Sequence, residues 1–221
     1  MLETILVTTK PICTHAIIWM HGLGADAHDF EPIVPELVKP SWPGVRFVFP
    51  NAPTRPVTVN GGHVMRAWYD IAGNDIAARQ DETGLRASRR EIEALIDAQV
   101  ASGIKPEHIL LAGFSQGAAM ALYVGLRCAK TLGGLIALSG YLPLAAQTAE
   151  EAHIANLQTP IFMGHGSADG VVPEALGRRS MATLTALGYA VEFHSYPMAH
   201  SVSGSEISDL SNWLGKRIAH G

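Results

Sequence analysis

Cysteine is scarce in this chain: Cys13 and Cys128 are the only two in 221 residues. Neither has a second thiol at a bridging or metal-binding spacing, which excludes a disulfide framework and a cysteine-based zinc module. Cys128 closes the apolar helical stretch 118–126, and packing is the role that position predicts for it. Positive charge is scarce as well. Sixteen Lys and Arg stand against 20 Asp and Glu, a net charge of −4, and no Lys/Arg run exceeds two residues. The electrostatic footprint of a nucleic-acid binder is therefore missing. Arg86, Arg89 and Arg90 fall in a predicted helix, with Arg86 and Arg90 four residues apart, the pattern of a solvated helix face. The start of the sequence has Glu3 and no basic segment leading into an apolar run, so no secretory signal is expected and a cytoplasmic location is. Residues 109–126 and 131–149 are uncharged, but Gly, Ser, Gln or Pro interrupts both at turn-like positions. Buried parallel strands give such stretches, and no membrane span is expected.

What the chain does have is apolar content. Hydrophobic residues make up 48% and charged ones 16%, enough for a well-buried sheet, and the length suits one domain over 1–221. Short aliphatic or β-branched runs alternate with Gly/Asn/Pro turns and longer helical patterns. Strands are expected at 15–20, 45–49, 108–112, 134–138, 160–163 and 191–196, and helices near 30–38, 82–102, 116–127, 174–187 and 205–219. In the second of these helices Leu85, Ile92, Leu95, Ile96 and Val100 recur at helical spacing. This alternation predicts an α/β fold with a mostly parallel sheet covered by helices on both faces. Ligands bind such sheets beyond the carboxyl ends of the strands, so functional residues should directly follow strands.

Residues 55–83 do not fit the alternation. Asn60-Gly61-Gly62, between 57–59 and 64–69, predicts a small hairpin. The polar loop 72–81, with an isolated Ile76, predicts a lid or a wall of a substrate channel.

Gly113-Phe114-Ser115-Gln116-Gly117 matches the G-x-S-x-G elbow, in which a serine hydroxyl is raised on a sharp strand-to-helix turn. The flanking glycines let neighbouring backbone approach without a Cβ clash. The pattern also arises by chance as a plain turn, but its context narrows it. A strand-like Ile109-Leu110-Leu111-Ala112 precedes it, and a strong helix former, Ala118-Ala119-Met120-Ala121-Leu122, follows. A serine hydroxyl needs an adjacent base to act as a nucleophile. Among ten histidines, His200 alone lies both in a loop after the last strand and in the chain order Ser, acid, His. Asp169 follows the strand at 160–163 and is the expected acid, fixing the His200 tautomer. Glu174 is its rival, at a predicted helix start where acids are common.

Acyl transfer passes through an oxyanion that backbone amides stabilise. One donor is the residue after the nucleophile, Gln116, at a helix N-terminus. The other is expected in the loop after an early strand, where His21-Gly22-Leu23-Gly24 places Leu23 between two glycines.

Further stretches join these: Pro50-Asn51-Ala52-Pro53, Arg55-Pro56-Val57-Thr58, Trp68-Tyr69-Asp70-Ile71, Leu138-Ser139-Gly140-Tyr141-Leu142-Pro143, Val171-Val172-Pro173 and Pro197-Met198-Ala199-His200-Ser201. In all of them the sequence resembles the carboxylesterase and acyl-protein thioesterase family, the small phospholipase/carboxylesterase group of α/β-hydrolases. The resemblance implies a nearly cap-free α/β-hydrolase of about seven strands, the triad Ser115, Asp169 and His200, and oxyanion donors at Leu23 and Gln116. It also implies an acyl groove walled by Leu23, Trp68, Ile76 and Val172, and it admits a homodimer, the state of many bacterial relatives. Ser139-Gly140-Tyr141 looks more like bacterial carboxylesterases than eukaryotic thioesterases.

The expectation is a serine carboxylesterase that hydrolyses esters of short to medium acyl chains through an acyl-enzyme on Ser115, with no metal or cofactor. Its partner would be a small-molecule ester. Acylated protein cysteines and lysophospholipids pass through the same intermediate, so those two substrate classes stay open. A rival of another class is a non-catalytic binding protein that retains the fold as a ligand pocket. Three chemically competent triad residues count against it.

Overall fold

The computed structural model describes residues 2–73 and 80–218. Its frame is a seven-stranded sheet built from β1 (Thr4–Thr8), β2 (His15–Met20), β3 (Val45–Pro50), β6 (Ile109–Phe114), β7 (Gly134–Leu138), β8 (Ile161–Gly166) and β9 (Val191–Tyr196). A separate two-stranded hairpin, β4 (Thr54–Val57) with β5 (His63–Arg66), stands between β3 and the first long helix. The helices are α1 (Val34–Leu37), α2 (Glu82–Ala101), α3 (Gln116–Arg127), α4 (Thr148–Glu151), α5 (Glu174–Ala186) and α6 (Gly204–Ile218).

The order across the sheet is β1-β3-β2-β6-β7-β8-β9, with β1 antiparallel to β3 and every other pairing parallel. The central strands are buried on both faces, which is why they read as continuous apolar runs. Side-chain alternation divides them between two cores. Ala16, Ile18 and Met20 of β2 join Ile109 and Leu111 of β6 in a core closed by α2 and α3, with Leu184 of α5 at its margin. Ile17, Trp19, Leu110 and Ala112 face the other way, into a core closed by Val34 and Leu37 of α1 and by Leu210, Trp213 and Leu214 of α6. All twelve residues of α3 are buried, so its sequence is apolar around its whole circumference. The Asp81 carboxylate caps α2 by accepting the Gly84 amide at 2.9 Å.

From β2 the chain passes to β3 on one side, and β6 then occupies the other side of β2. This reversal opens a crevice beyond the carboxyl ends of β2 and β6, where an α/β sheet binds its ligands. The loop His21–Gly24 leaves β2 there, and Ser115 leaves β6 beside it.

Two elements depart from the sequence expectation, and β1 adds a strand that it missed. The helix expected at 30–38 is a 3₁₀ turn, Glu31–Ile33, followed by the four-residue α1. Pro32 and Pro35 remove the amides a longer helix would use. The hairpin forms with strands shifted toward the N-terminus, because Thr58–Asn60 coil into a 3₁₀ turn and Gly61 and Gly62 take positive φ of 66° and 79°. The added β1 is a half-exposed edge strand whose threonines give little apolar signal. No helix among the described residues is long and apolar enough to cross a membrane.

Candidate active site

Ser115 stands between β6 and α3 with φ 55° and ψ −116°, a conformation that costs a non-glycine residue about 1–3 kcal/mol. Two neighbours make the turn possible. A Cβ at Gly113 would lie 2.2 Å from the Gly117 carbonyl carbon, and one at Gly117 would lie 2.1 Å from the Met20 carbonyl oxygen. Only glycine permits either approach. The Ser115 amide donates to Leu138 at 2.8 Å and its carbonyl accepts from Ala119 at 3.1 Å, so flanking structure holds the strained residue on both sides.

His200 reaches this serine from the loop between β9 and α6. Its Nε2 lies 2.9 Å from Ser115 Oγ and its Nδ1 lies 2.7 Å from Asp169 Oδ2. The Phe114 ring packs against the imidazole at 4.7 Å between centroids. Asp169 follows β8, and its side chain is fully buried. Its other oxygen, Oδ1, accepts the amides of Val171 and Val172, each at 2.9 Å. These bonds fix the carboxylate and aim Oδ2 at the imidazole. The rival acid Glu174 is turned to Arg178 at 2.7 Å. Of the other histidines, His194 stacks on Phe162 and Tyr196, and His108 stacks on His15.

The expected oxyanion donors flank the same point. A Cβ at Gly22 would sit 3.5 Å from the Ser115 Cβ, which puts the Leu23 loop against Ser115. Among the described residues, neither the Leu23 nor the Gln116 amide has a protein acceptor. Leu23 is half-buried, but two expected wall residues are not open to the groove. Trp68 has no accessible surface and its indole N–H donates to the His21 carbonyl at 2.9 Å. Val172 is buried in the α2/α3 core, and its backbone is occupied by Asp169 and His165. Both therefore shape the site from behind. Ile76, the fourth expected wall residue, lies outside the described residues.

Several residues of the site are missing from the sequence reading. His21 Nε2 accepts the Ala52 amide at 3.0 Å, which leaves the proton on Nδ1 to meet the Gly22 carbonyl at 2.6 Å. Burial lowers the His21 pKa and keeps the ring neutral. Asn51 Oδ1 accepts the Ala27 amide at 2.9 Å and anchors the far end of the same loop. Tyr141 shares a 2.7 Å hydrogen bond with Tyr69, and desolvation raises the pKa of both phenols. Tyr141 also lines an open cavity of about 380 Å³ together with Leu142, Leu144, Gln147, Leu176 and Arg179, and Ser115, His200 and Leu23 are not among its lining residues. His21 and Asn51 stand in motifs legible in sequence, but their partners lie 31 and 24 residues away. No local pattern announces such contacts. Among the described residues, no group of three or more His, Cys, Asp or Glu is placed to hold a metal.

Residues 4–218 match the model of the phospholipase/carboxylesterase family. The chain belongs to that family. Among its relatives, acyl-protein thioesterase 1 of Debaryomyces hansenii is 39% identical, over 95% of this chain and 94% of the relative. Carboxylesterase SOBER1 of Arabidopsis thaliana is 33% identical, over 91% and 90%. The crystal structure of acyl-protein thioesterase 2 from Zea mays superposes with a TM-score of 0.87 at 31% identity, covering 99% of this chain and all of that one. The seven-stranded sheet and its helices are thus the α/β-hydrolase fold of the phospholipase/carboxylesterase family.

Proposed function

We propose that this member of the family is a serine carboxylesterase with Ser115 as nucleophile, His200 as general base and Asp169 as the acid that orients it. The observation that carries the proposal is the continuous relay from Ser115 Oγ through His200 to Asp169, at 2.9 and 2.7 Å. In acylation, Ser115 Oγ attacks the ester carbonyl carbon while His200 Nε2 takes the hydroxyl proton. The carbonyl oxygen becomes an oxyanion facing the amides of Leu23 and Gln116, and the α3 dipole adds to its stabilisation. Collapse expels the alcohol, which leaves with the proton from His200. Water repeats the sequence on the acyl-serine ester, releasing the acid and restoring Ser115.

The names of the relatives support a second substrate class, because several are acyl-protein thioesterases. A thioester forms the same acyl-enzyme with a thiol as leaving group. The test is turnover of p-nitrophenyl butyrate beside an acyl thioester and a lysophospholipid. Ester hydrolysis by the natural chain that disappears in Ser115→Ala supports the proposal. Equal turnover by both chains refutes it, and a thioester rate far above the ester rate assigns the second class.

A further inference from the structure

The backbone amide of Gln116 is an expected oxyanion donor, but its side chain is engaged elsewhere. The carboxamide is buried, with only 2% of the residue exposed, and turns away from the serine toward the segment after β5. Its Oε1 accepts the Trp68 amide at 2.8 Å and its Nε2 donates to the Tyr69 carbonyl at 2.8 Å. A side-chain amide here does what a neighbouring strand does in a sheet, pairing with one N–H and one C=O of a passing chain. The same segment is tied along its length. Gly24 donates to Arg66 at 2.9 Å, Ala67 donates to Pro53 at 3.0 Å, Ser88 Oγ donates to the Trp68 carbonyl, and Asp70 donates to Asp81 at 2.9 Å.

From Trp68 the chain of bonds runs back to the oxyanion loop. The indole N–H holds the His21 carbonyl at 2.9 Å, and the two rings pack at 5.4 Å. His21 Nδ1 holds the Gly22 carbonyl at 2.6 Å. The Gly22 carbonyl and the Leu23 N–H belong to one peptide plane, so an acceptor fixed on one side aims the donor to the other. Gly22 carries little torsional restraint of its own, and an untethered Gly22–Leu23 peptide would be free to rotate.

Resting on the esterase reading above, we propose that the Gln116 carboxamide is a positioning residue for the oxyanion hole. Through Trp68 and His21 it sets the direction of the Leu23 amide, while its own backbone supplies the other donor. One residue thereby fixes both donors relative to Ser115. The interaction matters only once negative charge develops on the carbonyl oxygen, so its loss lowers kcat and leaves ground-state binding nearly unchanged.

The test compares Gln116→Met, Gln116→Glu and Trp68→Phe with the natural chain, using p-nitrophenyl butyrate hydrolysis and inhibition by an alkyl trifluoromethyl ketone, whose serine adduct carries the oxyanion. Gln116→Met keeps the length and loses both hydrogen bonds. It is expected to lower kcat about ten- to hundredfold with KM within about twofold, and to raise the ketone Ki by the same factor, on the scale of a weakened oxyanion donor. Trp68→Phe leaves the Gln116 bonds and removes the indole donor, with an expected kcat loss of about tenfold. Gln116→Glu supplies a rescue. When protonated, its carboxyl accepts from Trp68 and donates to Tyr69 as the amide does; when ionised, it repels the Tyr69 carbonyl. Its kcat relative to the natural chain at the same pH should therefore approach unity at low pH and fall as pH rises, while the Gln116→Met ratio stays flat.

Should Gln116→Met fail to fold, by circular dichroism, the other two variants decide. A natural chain without turnover removes the esterase reading and this inference with it. With the natural chain active, kcat and ketone affinity within threefold of it in the folded variants, or a loss confined to KM, overturns the positioning role alone.

Discussion

Asp169 presents Oδ2 to His200 Nδ1 at 2.7 Å while its Oδ1 is saturated by two backbone amides. The backbone thus occupies Oδ1 and leaves Oδ2 to the imidazole, with His165 Nε2 3.6 Å from the same oxygen. Asp169→Asn keeps the shape and offers the ring an amide N–H or an amide oxygen in place of a carboxyl oxygen. By analogy with the serine-protease triad, kcat should fall about 10⁴-fold with a small change in KM. Steady-state kinetics on p-nitrophenyl butyrate checks this, and a loss below tenfold would remove Asp169 from the triad.

Gly117 tests the elbow by sterics rather than chemistry. A Cβ there would meet the Met20 carbonyl oxygen at 2.1 Å, backbone against backbone, with no flexible side chain to yield. Gly117→Ala should destabilise the fold by about 1–3 kcal/mol, the usual scale of overpacking, and depress activity by shifting α3 away from β2. Urea unfolding with a parallel rate measurement reads both effects. Natural stability together with natural activity would contradict this account of the turn.

Glu206 sits in the first turn of α6 with no accessible surface, and neither carboxylate oxygen has a hydrogen-bond partner among the described residues. Burial raises its pKa to about 8. In the unfolded chain it ionises near the ordinary 4.5, so between those values the native state binds a proton that the unfolded state has released. Stability from this group is complete below about pH 4.5, declines as pH rises through that window, and levels off above about 8. Glu206→Gln stays neutral throughout. Relative to the natural chain, it should gain stability from pH 5 to pH 8, on the order of a few kcal/mol. Thermal unfolding at the two pH values measures the gain, and a constant difference would mean that Glu206 is already ionised at pH 5.

The core of the fold was legible because its elements are periodic. The strand 134–138, the helix 116–127 and the strand 191–196 have in the structure the boundaries that the sequence predicts. Ser115, Asp169 and His200 stand out as candidates because a sheet of this class leaves the turns after its strands for chemistry, and the structure brings their polar atoms within hydrogen-bond distance. The rest depended on partners distant in sequence. The family resemblance implies Trp68 as a wall of the acyl groove, yet Gln116 and His21 hold it fully inside. The proline-broken helix at 30–38 and the edge strand Thr4–Thr8 lacked periodicity strong enough to place either.

Core packing gives a prediction independent of catalysis. Leu122 of α3 is fully buried in the core shared with α2. Leu122→Ala should cost about 2–5 kcal/mol, depending on how far the surroundings collapse. If the folded protein persists, kcat should hardly change, and a selective loss of activity at unchanged stability would contradict a purely packing role.

The central claim is that Ser115 forms the acyl-enzyme. The most direct measurement is peptide-resolved mass spectrometry of the chain after treatment with a fluorophosphonate, which phosphonylates a serine only when a base activates it. The account predicts one adduct, on Ser115, absent from His200→Ala at the same exposure. An unlabelled Ser115, or an adduct that forms as quickly without His200, would contradict it.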